Sequence, residues 1–305
     1  MPIKIRINWD NKSVVSESIN IYRSNSYITT PTQAMLIQVI TGDVYEYEDL
    51  DVVESQTYFY MLSAKLGDQE AFSQCYEVLA APQSVDPDFS DVTLLMQFDG
   101  PNPLYDPASG ATWTLYGDAF IDTSDKAVGG GALRISDAVS SYARSPVLTD
   151  MYNPQASGKA LTVEFFFKKT SSIGNAGAVC FTRNGSTTDR YAFFIRSGSA
   201  NLKCAVYSNY FSTFIDVTTP ANLNEWNHFA FVEGGTADGL YINGARVYSI
   251  SGSRRIWFWP ETIAWIGQNG AGAEPYGGLI DGLRVTNAAR YNGNFTPPDK
   301  PFPSQ

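Results

Sequence analysis

Apolar and polar residues alternate along most of this chain, a pattern typical of β-strands that turn one face into a core. In the first part of the sequence the alternation predicts strands at residues 3–9, 18–24, 34–40, 57–66 and 72–80. Gly, Pro, Asn, Asp and Ser residues bound these segments, as they do where turns join strands. Short strands of this kind at close spacing predict a small β-sandwich.

The alternation returns after residue 90 and continues through most of the remaining chain. Because no helical periodicity interrupts it, we predict two large antiparallel sheets packed as a jelly roll. Between the two parts, "APQSVDPDFSD" (81–91) has two prolines, two serines and three aspartates, which is the composition of a linker. We therefore predict an all-β protein with one domain over residues 1–83, a linker over 84–90 and a second domain over 91–305.

The net charge of the chain limits which kinds of binding partner are expected. The chain has 21 Lys and Arg against 31 Asp and Glu, a formal net charge of −10. Nucleic acids and anionic lipid surfaces both require a cationic face, so neither partner is expected. The N-terminal "MPIKIRINWD" lacks a continuous apolar run, and no segment has the length of a transmembrane helix. We therefore expect no signal peptide and no membrane insertion.

Three cysteines, Cys75, Cys180 and Cys204, are widely spaced and form no C-x-x-C pair. An odd number without a metal-binding spacing predicts free, buried thiols in a protein made in a reducing cytoplasm. Cys180 and Cys204 fall in adjacent predicted strands, so a single disulfide between them remains an alternative.

The sequence has few groups suited to catalysis. Its only histidine, His228, lies in a predicted strand with Trp226 on the same face, and we expect it to be packed and hydrogen-bonded. Glu164 is the one acid of the broad predicted strand "LTVEFFFKK", so the second carboxylate of a glycosidase pair is missing from that strand. A carboxylate pair assembled from separate strands stays an alternative. The glycine-rich "GGTADG" and "GQNGAGAEPYGG" lack the spacing of a phosphate loop and are predicted to be hairpin loops.

Two aspartates are candidates for a calcium site. Asp99 in "QFDG" and Asp281 in "LIDG" each precede a glycine where a strand is expected to end. The first and last long strands of a jelly roll can be neighbours, which would bring these acids together. Calcium prefers such hard oxygen ligands, supplemented by turn carbonyls. The alternative is that both aspartates only cap turns, since Asp-Gly is a common turn dipeptide.

Two aromatic segments are candidates for carbohydrate binding, which needs aromatic faces and polar groups for the sugar hydroxyls. "SRRIWFWPE" (253–261) places Arg254 and Arg255 beside Trp257 and Trp259, and the following proline suits an exposed loop or edge. "YSNYFSTF" (207–214) places two tyrosines in a predicted hairpin, Tyr207 and Tyr210. The alternative for both segments is packing in the core or in a subunit interface.

The first domain resembles a fibronectin type III module. Trp9 at the end of "IRINW" looks like the core tryptophan of that family's second strand, "INIYRS" resembles the third, and "TYFYMLSA" with "FSQCYEVLA" resembles the last two. The family's first strand has no counterpart here. We therefore expect the edge of the strand at residues 3–9 to be covered by another chain or segment, because bare strand edges promote association.

The second domain resembles laminin G-like, concanavalin A-like jelly rolls. The segments "TLLMQFDG", "GGALRIS", "LTVEFFFK", "NEWNHFAFV", "LYINGARV" and "WIGQNG" follow in that family's order. The closing "IDGLRVTNAARYNGNFTPPDKPFP" resembles the form common in tailed-bacteriophage virion proteins, where such domains follow small immunoglobulin-like modules. In related domains the W-x-H strand is structural, and calcium is often held by aspartates and turn carbonyls.

These resemblances imply a non-enzymatic virion protein of the tail or fibre. The first domain would attach to other virion proteins, and the jelly roll would bind host cell-surface carbohydrate from the virion surface. Several copies per particle are expected, because avidity compensates for weak single sites. The alternative is a decoration or structural protein of capsid or tail that binds no sugar, and a polysaccharide-degrading enzyme is a third.

Overall fold

The computed structural model describes residues 5–9, 17–42, 44–53, 56–80, 86–138, 140–151, 160–172, 176–186, 188–196, 202–208, 215–250, 256 and 258–304. Regular structure in these ranges consists of strands and of two short 3-10 turns at Gln33–Met35 and Phe89–Asp91, which confirms the all-β prediction. The chain divides into two compact units, residues 1–84 and 85–305. No helix within the described ranges is long and apolar enough to cross a membrane.

The first unit contains a two-stranded sheet, β1–β4, and a sheet of order β3-β2-β5-β6 in which β7 also pairs with β5. Its core is formed by Ile5, Ile19, Ile21, Tyr58 and Tyr60. The strands are β1 Ile5–Asn8, β2 Ser18–Ser24, β3 Leu36–Ile40, β4 Glu46–Asp49, β5 Thr57–Leu66, β6 Gln69–Phe72 and β7 Tyr76–Leu79.

The single strand predicted over 72–80 is wrong. β6 pairs with the second half of β5, and β7 pairs with the first half. Between them Ser73 donates its N–H to the Leu62 carbonyl, and its hydroxyl accepts the Leu62 N–H, which interrupts the ladder. Within the described residues β1 pairs with β4 alone. The covering of its other edge by an added strand therefore stays a prediction, and so does the resemblance to a fibronectin type III module.

The second unit is a sandwich of two antiparallel sheets. The first sheet has the order β10-β11-β22-β13-β18-β19-β20, with β8 also paired to β22, and the second has the order β17-β16-β15-β14-β21-β12-β9. Its strands are β8 Val92–Met96, β9 Thr114–Tyr116, β10 Phe120–Asp122, β11 Ala132–Ile135, β12 Tyr142–Arg144, β13 Leu161–Lys169, β14 Gly177–Arg183, β15 Arg190–Arg196, β16 Lys203–Ser208, β17 Ile215–Thr218, β18 Asn227–Glu233, β19 Gly239–Ile242, β20 Ala245–Ser249, β21 Thr262–Ile266 and β22 Gly278–Thr286.

The core lies between these two sheets, where alternate residues of each strand point inward. Phe165 of β13 stacks on Phe229 of β18 with ring centroids 4.7 Å apart, and Phe193 of β15 reaches Phe229 from the opposite sheet at 5.7 Å. Aromatic rings bury large apolar areas, so this cluster holds the sheets together.

The outer face of the first sheet is also covered. Phe166 of β13 is buried and packs against Phe302, while Tyr241 of β19 packs against Phe295. The C-terminal segment therefore lies over this sheet. As a result, the outward-facing residues of β13 are buried, although its sequence pattern marks only one face as core.

Two loop predictions have different outcomes. The segment after β18 is a hairpin loop, because β18 and β19 pair directly, as predicted. The segment after β21 is not a hairpin loop, because β21 belongs to the second sheet and β22 to the first. It carries the chain from one sheet to the other.

The predicted linker also differs from the structure, because Asp86 is buried within the second unit. Its carboxylate accepts hydrogen bonds from Arg284 at 2.9 Å and from Arg290 at 2.7 and 2.9 Å. Residues from 86 onward are therefore fixed to the jelly roll.

Candidate functional site

The second sheet has one face in the core and an opposite face that carries a row of side chains from neighbouring strands. Strand pairing fixes this row, since directly paired residues share a face. The row runs Thr114, Arg144, Trp265, Cys180, Ala192, Tyr207 across β9, β12, β21, β14, β15 and β16.

One end of this face is aromatic, and we call Tyr116, Tyr142, Arg144 and Trp265 the edge patch. Tyr116 and Tyr142 are paired residues whose rings stack with centroids 4.6 Å apart. The Tyr142 ring lies 5.5 Å from the Trp265 ring, and the Arg144 guanidinium lies 4.9 Å from the centre of the Trp265 ring. Tyr116 is 36% exposed and the other three are partly buried, so the patch is open to solvent and fixed by mutual packing.

The orientation of Trp265 is held from two sides. Its indole N–H donates to the Thr182 hydroxyl at 2.9 Å. Gly270, in the segment after β21, has a φ of +74°, and a Cβ there would lie 2.5 Å from the Thr182 Cγ2 and 3.4 Å from the Trp265 ring. This segment therefore packs closely beside the tryptophan, and only glycine fits at that position.

Arginines lie over aromatic rings at three places on this face, but their polar contacts differ. Arg196 forms an ion pair with Asp216 at 3.7 Å. Arg190 lies over Tyr207 and donates to the Asn269 carbonyl at 3.3 Å. Arg144 has neither an ion pair nor a hydrogen bond to any residue that the structure describes, although its Nε, like that of Arg190, is shielded from solvent.

The edge patch has the chemistry of a saccharide subsite. Aromatic faces stack against the C–H faces of sugar rings, and a guanidinium donates hydrogen bonds to sugar oxygens. Its rings do not have to reorient on binding, which reduces the entropy cost of association.

The predicted carbohydrate-binding residues are placed differently. Trp259 is 8% exposed and belongs to the core, with its ring 5.4 Å from the ring of Tyr191, which corrects the expectation of an exposed platform. Tyr207 is half-buried on the outer face of the second sheet, in contact with Arg190. Trp257, Arg254, Arg255 and Tyr210 lie outside the described residues, so their roles stay predictions.

The sequence contains a signal for the edge patch that local aromatic density does not show. In β21, Ala264 and Ile266 point into the core, so Trp265 must point outward. In β12, Ala143 points inward, which places Tyr142 and Arg144 on the outer face. A large aromatic residue at the outward position of a strand is therefore a better indicator here than local aromatic density.

The candidate calcium residues Asp99 and Asp281 lie in the same region of the second unit, and their role as ligands stays a prediction. β8 pairs with β22, and Asp99 lies close enough to Asp281 to influence its ionisation. Asp281 lies in the middle of β22, not at its end as predicted, because the chain continues through Gly282 with a φ of +53°.

The polar contacts of these two aspartates leave one buried oxygen without a hydrogen bond. Asp99 Oδ1 accepts the N–H groups of Gly130 and Gly131 at 2.6 and 3.0 Å. Asp281 Oδ2 accepts those of Ala127 and Val128 at 3.0 Å, but its buried Oδ1 has no hydrogen-bond partner. Burial and the nearby Asp99 charge raise the pKa of Asp281 to about 7. Within the described ranges no cluster of three or more His, Cys, Asp or Glu residues is placed to hold a metal, so other ligands would be carbonyls or water.

Glu164 and His228 belong to a buried polar network. Glu164 accepts hydrogen bonds from Arg284 at 2.8 and 3.0 Å and from the Tyr291 hydroxyl at 2.7 Å. His228 Nε2 lies 3.2 Å from Glu164 Oε2, the oxygen that also accepts the Tyr291 hydroxyl. The His228 ring packs against Phe166. Burial opposes the ionisation of Glu164, but the Arg284 charge together with the contacts to His228 and Tyr291 outweighs it and lowers the pKa to about 2. His228 is 1% exposed, which confirms that it is packed. The predicted hydrogen bonding is limited to the approach of Nε2 to Glu164, since Nδ1 has no partner among the described residues.

The thiols are free, as predicted: Cys75, Cys180 and Cys204 form no disulfide. Cys180 lies on the outer face of the second sheet, whereas Cys204 belongs to the core on its inner face. The alternative of a bridge between them is therefore wrong.

Comparison with known proteins agrees with the geometry of the second unit. Residues 137–292 match the laminin G-type family described as the concanavalin A-like lectin/glucanases superfamily. The match covers half of the sequence, and the chain belongs to this superfamily. No curated protein matches the chain.

Solved structures share the fold at low sequence identity. Domain 4 of AbnA, a GH43 extracellular arabinanase from Geobacillus stearothermophilus, in complex with arabinotriose, is 19% identical, with 66% of this chain and 95% of that one covered and a TM-score of 0.49. The receptor binding domain of botulinum neurotoxin D is 14% identical, with 67% of this chain and 51% of that one covered and a TM-score of 0.50. The present chain thus spans about half the length of that neurotoxin chain, and the likeness concerns the fold alone.

Proposed function

We propose that this protein binds carbohydrate through the edge patch on the outer face of its second sheet. The observation that carries the proposal is the continuous aromatic surface of Tyr116, Tyr142 and Trp265, fixed in position and partly open to solvent. The lectin branch of its superfamily makes such a role reasonable, although fold membership alone does not assign a ligand.

The proposed function is binding without catalysis. Glycoside hydrolysis needs one carboxylic acid that can give up a proton near neutral pH and a second carboxylate at a fixed distance. Glu164, the acid of the broad strand, is fully buried, and its low pKa keeps it ionised beside Arg284. A group in that state serves as a structural anion rather than as a proton donor. Asp281, with a pKa of about 7 beside Asp99, has the ionisation that hydrolysis requires, and the proposal assigns this pair to calcium instead.

The biological setting follows from the resemblance of the closing segment to tailed-bacteriophage proteins. In this proposal the protein is a tail or fibre component on the virion surface, made in the host cytoplasm. The first unit attaches to other virion proteins, and β1 provides the edge for an added strand. The jelly roll contacts host cell-surface glycan, and several copies per particle strengthen weak single contacts.

Calcium is part of the proposal as a structural ion. The residues fit it, because Asp281 Oδ1 is buried without a partner and Asp99 is the neighbouring carboxylate. Asp99 and Asp281 would hold the ion, which would neutralise two nearby negative charges and fix the Gly129–Gly131 turn to β22. The edge patch shares no residue with this site, so calcium acts here through stability.

The test is binding of the full chain, displayed as multimers, to an array of bacterial surface saccharides, with calcium and with chelator. Trp265→Ala is expected to weaken binding by at least about tenfold, the loss of about 1.4 kcal/mol of stacking contact. Tyr248→Ala, which removes an exposed aromatic ring from β20 of the other sheet, is the matched control and should bind normally.

The other outcomes are equally informative. If Trp257→Ala abolishes binding and Trp265→Ala does not, the saccharide binds at residues 253–261, as the sequence predicts. If the folded chain binds no saccharide in either condition, the decoration protein without sugar binding becomes the better explanation. Release of sugar from isolated polysaccharide, lost in Glu164→Gln without loss of folding, would establish an enzyme instead.

A further inference from the structure

We propose that the saccharide bound at the edge patch is acidic, and that Arg144 holds its carboxylate. This inference rests on the proposed carbohydrate-binding function and adds the ligand class. It is carried by the position and the unmatched charge of Arg144, which the aromatic rings alone would not require.

Arg144 lies at one end of the patch, beside Trp265. On β12 it is flanked by Thr114 of β9 and Trp265 of β21, and its guanidinium lies over the Trp265 ring at 4.9 Å. The contact with the indole fixes the plane of the guanidinium. Its donor groups are thus placed beside the aromatic surface on which a sugar ring would stack.

The charge of Arg144 has no counterpart in the described part of the chain. Some other arginines of this unit have carboxylate partners, Arg284 in Glu164 and Asp86 and Arg196 in Asp216, whereas Arg190 on the same face is held by the Asn269 carbonyl. Arg144 forms no such pair with a described residue, although the chain carries ten net negative charges.

A sugar carboxylate would match this charge. Unlike Nε, the two Nη groups of Arg144 are not shielded from solvent, and one N–H from each forms a planar pair of donors that matches the two oxygens of a carboxylate. In uronic and ulosonic acids the carboxylate projects from the edge of the sugar ring, so the ring can stack on Tyr142 or Trp265 while the acid reaches Arg144. A neutral sugar can accept one hydrogen bond there but leaves the charge unmatched.

The experiment compares acidic and neutral saccharides on the same array, with the full chain and with Arg144→Gln. The best acidic saccharide is then measured by calorimetry beside its carboxyl methyl ester, which keeps the ring and removes the charge. Arg144→Gln should weaken binding of the acid by at least about tenfold, as expected for hydrogen bonds to a charged group, and should leave the ester unchanged. Arg144→Lys should restore part of the affinity, because it keeps the charge without the paired donors.

The matched control is Arg246→Gln, which makes the same change of charge at an exposed position of β20. Thermal unfolding of each variant shows whether it is folded. If acid and ester bind equally, or if Arg144→Gln binds the acid normally, the inference is wrong while carbohydrate binding stands. If sulfated or phosphorylated saccharides bind and carboxylated ones do not, the carboxylate assignment is wrong. If no saccharide binds, the proposed function itself fails.

Discussion

Replacing Glu164 by glutamine tests whether this carboxylate stabilises the fold or performs chemistry. The substitution keeps the size of the side chain but removes the charge that faces Arg284 and the acceptor of the Tyr291 hydroxyl. Of the described carboxylates, only Asp86 would still form an ion pair with Arg284. Because Glu164 is fully buried, water cannot replace the lost charge, and a large effect on stability is expected.

The size of the effect follows from two arguments. A fall in pKa from 4.5 to about 2, at about 1.4 kcal/mol for each tenfold change in proton affinity, corresponds to about 3 kcal/mol. Removal of one partner from a buried ion pair typically costs about 3–5 kcal/mol. We therefore expect Glu164→Gln to lower the free energy of unfolding of the second unit by about 3 kcal/mol at pH 7.

The pH dependence has a defined sign. The folded-state pKa lies below the unfolded value, so the stabilisation is complete above pH 4.5 and is lost as the pH falls toward about 2. The difference between wild type and variant should therefore shrink to about 1–1.5 kcal/mol at pH 3.

Urea unfolding followed by tryptophan fluorescence measures this difference, since five of the six tryptophans lie beyond residue 85. The exposed Glu225→Gln is the control and should unfold like the wild type. Equal stability of Glu164→Gln and wild type at pH 7, or a difference that does not shrink at pH 3, would refute the structural role of this carboxylate.

Two further predictions concern buried charges. Saturating calcium should raise the midpoint of thermal unfolding of the wild type by about 5–10 °C relative to chelator, and should leave that of Asp281→Asn unchanged. Magnesium is the control ion. An equal rise in the variant would show that Asp281 does not hold calcium. Lys169 is buried and donates to the Tyr276 carbonyl, and burial lowers its pKa to about 8. Between pH 8 and 10.5 the folded state therefore holds fewer protons than the unfolded state, so the free energy of unfolding should rise with pH. Urea unfolding across that range should show the wild type gaining up to about 3 kcal/mol relative to Lys169→Met. If the unfolding free energies of the two proteins change with pH in the same way, the reasoning is wrong.

Alternation of apolar and polar residues predicted much of the fold because it reports a local property, the face of a strand that meets the core. Strands β2 and β5 begin and end at the predicted residues, and the pairing of β8 with β22 was anticipated from the general arrangement of jelly rolls. β4 (Glu46–Asp49) was missed, since its acidic sequence hides a buried Asp49 that is paired with Arg23.

The failures come from contacts between distant parts of the chain. Trp259 was predicted to be exposed because arginines and a proline surround it, but Phe258 and Trp259 pack together into the core. Likewise, the partners of Glu164 lie at residues 284 and 291, more than 100 positions away. Local sequence cannot show which distant segment covers a strand face.

Coverage of the two sheets gives the physical reason to look for ligands on the second. The C-terminal segment seals the outer face of the first sheet, where Tyr291 and Phe295 stack at 3.5 Å and Phe302 lies under the Arg284 guanidinium. On that face Glu164, Arg284 and Tyr291 are paired with one another, and the unpartnered Asp281 Oδ1 is assigned to the proposed calcium ion. On the second sheet the edge patch keeps aromatic surface and one arginine unmatched by the described residues, which is an arrangement that costs stability unless a ligand uses it. If Arg144→Gln proves more stable than wild type while losing affinity for an acidic saccharide, that cost has been measured directly, and the patch is a binding site maintained at the expense of stability.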